Sequence, residues 1–85
     1  SAMEIYSNTV PDRTKNACAV KLMRNMLVKY ALKHNISSEE AILRFAESMT
    51  YDLLFDFNTE VWKEGPDYLL SLYEDELSEA YSQLA

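Results

Sequence analysis

Residues 51–57, YDLLFDF, decide whether this chain is helical throughout. Leu53, Leu54, Phe55 and Phe57 carry too much apolar surface for a loop, which leaves a short helix capped by Thr50 or a buried strand. A lone strand leaves its backbone N–H and C=O groups without a ladder, and no other stretch supplies a partner for it. The segment is therefore predicted to be a helix, and the fold class to be all-α, a compact bundle of about four helices.

On its carboxyl side, FNTEVW (57–62) reads as a turn formed by Asn58 and Thr59, with Val61 and Trp62 folded back on the core. Gly65-Pro66-Asp67 then starts the last helix. Glycine sits at the cap, proline at the first helical position and aspartate in the first turn, where the helix dipole favours negative charge. Leu69, Leu72, Tyr73, Leu77, Ala80 and Leu84 form its predicted buried stripe.

On the amino side, Ser37 and Glu40 make a capping box for a helix from Ser38, with Ile36 and Ala41 spaced as a hydrophobic staple. Ala41, Ile42, Phe45 and Met49 are expected on its inner face, with Arg44 and Glu47 outward. Asn35 suits the left-handed residue that ends the preceding helix. That first helix covers about Asp12 to His34, and a Thr9-to-Asp12 box would start it near Val10. Ala17, Val20, Met23, Leu27, Tyr30 and Ala31 share one face, and Lys15, Lys21, Asn25, Lys29 and Lys33 the other. Leu22, Met26 and Leu32 widen the apolar zone, so the helix is expected to be covered on more than one side.

Eighty-five residues, 48% of them apolar and only one a glycine, fit one small domain and argue against disorder and against a turn-rich β fold. The domain is expected to span 3–85, with Ser1-Ala2 read as a cloning remnant ahead of a native Met3. No uninterrupted apolar run approaches the roughly 18 residues of a membrane span, and the reading is of a cytoplasmic protein. A single cysteine, Cys18, permits no intrachain disulfide, and His34 is the sole histidine, so no metal site is expected.

Two charges interrupt the apolar arcs. Arg24 falls beside Val20, Leu27 and Ala31, and Glu76 between Leu72, Tyr73 and Ala80. A charge turned to the core needs a partner, so Arg24 and Glu76 are expected to pair and set the register of the first helix against the last; the alternative is that each snorkels to water. The remaining charges divide along the chain: six cations against two acids in residues 1–34, and two against twelve beyond. Either two binding faces result or the basic and acidic helices pack together.

Catalysis finds no support: there is no glycine-rich phosphate loop and no nucleophile set beside a base, so no enzyme and no cofactor is expected. Nucleic-acid binding would use the basic face of helix 1, against a net charge of −6, and is kept as the alternative reading. Protein binding is the preferred one, through two surfaces. Leu22, Met26 and Leu32 would support a homodimer. Glu60, Glu64, Tyr68, Asp75 and Glu79 would meet a basic partner.

From Asn35 to Leu77, NISSEEAILRF, then YDLLFDF, then Trp62 with Gly65 three residues on and Tyr68 three after that, the chain resembles a small bacterial family known as domain of unknown function 3791. That family favours histidine where this chain has Trp62. Its members are often encoded beside ADP-ribosyltransferase-like toxins. The resemblance implies an accessory or antitoxin-like binder of a basic, toxin-like protein.

Overall fold

Met49–Phe55 is an α-helix, so the segment that decides the fold class is helical as far as Phe55, with Asp56 extended and Phe57 opening a 3-10 turn. The computed structural model describes residues 9–84, and the side chains of residues 9–80. Tyr81 and Leu84 have side chains outside that set. The elements are α1 (Asp12–His34), α2 (Ser38–Ala46), α3 (Met49–Phe55), two single-turn 3-10 helices (Phe57–Thr59 and Val61–Lys63) and α4 (Pro66–Leu84). The described chain is thus an all-α bundle of four α-helices, none of them long and apolar enough to cross a membrane.

Local chemistry sets each boundary. Asn35 ends α1 in the left-handed conformation (φ 53°, ψ 48°), with Ile36 N–H donating to Ala31 O at 3.1 Å and Asn35 N–H to Leu32 O at 3.4 Å, the paired bonds of a Schellman motif. Ser37 Oγ accepts from Glu40 N–H at 3.1 Å and starts α2 at Ser38. Glu40 does not complete the box: its carboxylate accepts from Arg44 Nε one turn on, at 2.9 Å. Pro66 opens α4, where Leu69 N–H donates to Gly65 O at 3.2 Å.

Two expected starts move. Pro11, not Thr9, is the N-cap of α1, and the helix begins at Asp12 rather than near Val10. Ser48, not Thr50, caps α3: its Oγ accepts from Tyr51 N–H at 3.0 Å. Consequently α2 closes at Ala46, and Met49 belongs to α3, 66% exposed, instead of the inner face of α2. Between α3 and α4, Asp56 accepts from Asn58 N–H, and the Thr59 hydroxyl lies 2.6 Å from Leu53 O and 2.8 Å from Asp56 O. The expected turn is therefore two tight 3-10 turns that press Val61 and Trp62 against α1.

The core takes residues from every element but the first 3-10 turn: Leu22, Met26 and Tyr30 of α1, Phe45 of α2, Leu54 of α3, Trp62 of the second 3-10 turn, Leu69 and Tyr73 of α4. Phe45 and Tyr73 meet edge to face with centroids 5.0 Å apart, and Tyr30 lies 5.1 Å from Tyr73. Helix α1 is the hub, packed along α4 and touching α2, α3 and the second 3-10 turn. With neighbours on two sides it buries roughly half its circumference, from Leu22 through Met26, Ala19, Tyr30 and Leu27 to Ala31. The buried arc is therefore rotated from the expected one, and Ala17 lies exposed.

Candidate protein-docking grooves

Glu76 is where the sequence reading and the structure part most sharply. It does not pair with Arg24. One carboxylate oxygen accepts from Thr50 N–H (2.8 Å) and the Thr50 hydroxyl (2.6 Å), and the other from Met49 N–H (3.0 Å). The physical reason lies in α3, whose first-turn N–H groups have no intrahelical acceptors. Together with the Thr50 hydroxyl they form a converging set of donors that takes up the Glu76 carboxylate in place of a guanidinium. Burial alone pushes the Glu76 carboxyl up, but the Thr50 hydroxyl and the two backbone N–H groups outweigh it and hold it below its ordinary value. Next to it, burial pushes the Tyr73 hydroxyl up to about 12, with Tyr30 and Glu76 adding to the effect.

This clamp fixes α3 against α4 and shapes a groove of about 270 Å³ between them. Met49, Leu53 and Leu72 supply its apolar surface, and Asp75 and Glu79 stand beside them on α4. Met49 and Leu53 are 66% and 43% exposed, one turn apart on α3. Asp75 and Glu79 are also one turn apart, both exposed. Neither acid has a cationic partner among the described residues.

A second groove of about 320 Å³ runs between α1 and the start of α2, lined by Met23, Leu27, Val28, Ser38 and Ile42, with Arg24 on its wall. Arg24 lies on the outward arc of α1, exposed and without an ionic partner among the described residues. Its long side chain follows the snorkelling alternative.

The remaining candidates separate. Leu22 and Met26 are core residues, 5% and 0% exposed, because α1 turns them towards the bundle; they cannot meet a partner, and Leu32 alone of the three is outward. Glu60, in the left-handed region, accepts from Lys63 at 2.7 Å within the 3-10 turns. Glu64 borders a shallow hollow with Cys18, Lys21 and Trp62. Tyr68 is half exposed at the start of α4. Of the five residues expected to face a basic partner, only Asp75 and Glu79 share a groove. Sequence reasoning missed Met49, Leu53, Val28 and Ile42 as surface residues; the signal available for the first two was Ser48, a capping residue that breaks the α2 period before Met49.

The charge split is partly internal. Lys29 pairs with Asp67 and Lys33 with Glu74, both at 2.6 Å, and His34 Nε2 lies 3.8 Å from Glu74. Basic α1 and acidic α4 therefore clasp each other, and two of the lysines expected to contact nucleic acid already face carboxylates. Among the described residues, no three His, Cys, Asp or Glu side chains cluster as metal ligands would. No protein-family profile matches the chain, and neither a curated protein nor a solved structure does.

Proposed function

We propose that this chain is a non-enzymatic protein-interaction module whose α3–α4 groove receives the apolar face of a cationic amphipathic helix. The observation that carries the reading is the juxtaposition of exposed Met49 and Leu53 with unpaired Asp75 and Glu79 across one groove. Contiguous exposed apolar surface rimmed by charge marks interaction sites, and an apolar pair one turn apart suits helix-in-groove docking. Met49 adds adaptability, since its flexible thioether conforms to varied partners. An antitoxin-like role covering a basic, toxin-like protein fits the same chemistry.

The test is a titration of the isotope-labelled protein, followed by amide chemical shifts, with a synthetic helical peptide of lysine and leucine in amphipathic order and with its glutamate–leucine counterpart. The lysine peptide is expected to perturb Met49, Leu53, Asp75 and Glu79, and the glutamate peptide to leave them unmoved. Leu53→Asp separates docking from mere charge attraction: it makes the protein more acidic yet is expected to weaken binding. Tighter binding by Leu53→Asp, or perturbations scattered over all acidic residues, would show charge attraction alone and overturn the proposal.

A further inference from the structure

We infer that the cationic helix suited to the α3–α4 groove is carried by this chain itself, as the outward edge of α1 of a second copy. The inference rests on the reading of that groove as a docking site for a cationic amphipathic helix. On α1, Val28 and Leu32 are 59% and 79% exposed, one turn apart on the arc opposite the core. Lys21 and Arg24 continue the same arc and, unlike Lys29 and Lys33, form no ion pair among the described residues, although Glu64 borders the same shallow hollow as Lys21.

The two surfaces match in kind and in spacing. Residues four apart on a helix stand about 5–6 Å from each other, so Val28 and Leu32 repeat the interval of Met49 and Leu53 in the groove. Asp75 and Glu79 repeat it again and offer carboxylates to Lys21 and Arg24. Apolar side chains thereby meet apolar side chains, and unpaired cations meet unpaired acids. Ile42 extends the apolar strip beside α1, where the α1–α2 groove opens.

Because the donor edge and the receiving groove are different surfaces, the contact is heterologous, and copies add head to tail into a ring or an open chain. The net charge of −6 opposes this association over its whole range, so it is weak and concentration-dependent. Occupied by a second copy, the groove is closed to any other cationic helix, and self-association competes with partner binding.

Sedimentation equilibrium over roughly 10 μM to 1 mM tests this, a range suited to weak contacts. The wild-type mass is expected to rise above the 9.8 kDa of one chain. Arg24→Glu with Leu32→Glu blocks the edge, and Leu53→Asp with Glu79→Lys blocks the groove; each double variant alone is expected to stay a single chain. Mixed together they are expected to form a complex of two chains and nothing larger, since one intact edge meets one intact groove. All four positions are at the surface, and circular dichroism confirms that the variants fold. If a double variant unfolds, the milder Arg24→Ala and Glu79→Gln are each expected to weaken association several-fold. A wild type that remains one chain throughout, a blocked variant that associates like the wild type, or a mixture that does not pair overturns the inference. Binding of the lysine–leucine peptide by a wild type that never self-associates would sink this inference and leave the groove's proposed function standing; failure of both would sink both.

Discussion

Replacing Glu76 by alanine is expected to destabilise the protein by about 2–3 kcal/mol, although the residue is an acid on a partly exposed helix. Hydrogen bonds to a charged group contribute about 1.5–3 kcal/mol each before non-additivity, and an unsatisfied buried donor costs about 1–3 kcal/mol. Thr50 is 2% exposed, so its hydroxyl and N–H lose their acceptor where water enters poorly, whereas Met49 N–H recovers much of its loss from solvent. The two Thr50 bonds therefore dominate the cost. Glu76→Gln keeps one acceptor oxygen but turns an amide NH2 towards a donor, for about 1–1.5 kcal/mol. Urea unfolding reads both: with a slope near 1 kcal/mol/M for a chain this small, the alanine variant's midpoint falls by about 2–3 M. The pH dependence follows from the lowered carboxyl. A folded-state value below the unfolded one gives stability that is present above the unfolded value, near 4.3, and lost as pH falls through the folded value. The gap between wild type and Glu76→Gln should thus be full at pH 7 and shrink as pH falls below about 4. An alanine midpoint within about 0.5 M of wild type, or a glutamine gap unchanged at pH 3, would refute the clamp. A double-mutant cycle supplies the opposing check, because coupling above about 1 kcal/mol between Arg24 and Glu76 would restore the direct ion pair.

Phe45→Ala should cost about 3–5 kcal/mol and leave little folded protein at 37 °C by circular dichroism, because a fully buried ring that meets both Tyr51 and Tyr73 is removed from a small core. Met26→Lys and Leu32→Lys, equivalent on an apolar-content view of α1, should diverge in thermal unfolding: the first buries an unpaired cation and abolishes cooperative folding, while the second stays within about 0.5 kcal/mol of wild type.

The fold class was legible because it rests on local chemistry that tertiary structure does not overrule. Asn35 can end a helix in the left-handed region, Ser37 can cap the next, and Gly65-Pro66 can hardly do anything but begin one. Faces were less legible. The wet half of α1 carries Val28 and Leu32 among its polar residues, so no clear period marks it, and the lysines on its boundary reach acids on α4. Leu22, Met26 and Leu32 are alike in the sequence, and only the rotation imposed by α2, α4 and the second 3-10 turn makes the first two core and the third surface. Glu76 was legible as an anomaly but not as a cap, because two of its three donors are backbone N–H groups of a helix terminus, which carry no side-chain signature. The acidic groove was half legible, in Asp75 and Glu79; its apolar half depended on where α2 stops, and one serine decides that.

The asymmetry of charge along the chain ends as an asymmetry over the surface. Folding lays the basic first helix against the acidic last one, and Lys29–Asp67 and Lys33–Glu74 use up charges along their seam. Exposed pairs of this kind contribute only about 0–1 kcal/mol, so their consequence is alignment more than stability. Among the charges they leave over, Lys21 and Arg24 stand on the outward arc of α1, and Asp75 and Glu79 beside the α3–α4 groove. Each leftover charge set lies next to an exposed apolar pair, Val28 with Leu32 in one case and Met49 with Leu53 in the other. In the proposed docking, steering by the charges and burial of the apolar pairs would act on the same two surfaces, the first setting which partner approaches and the second how long it stays.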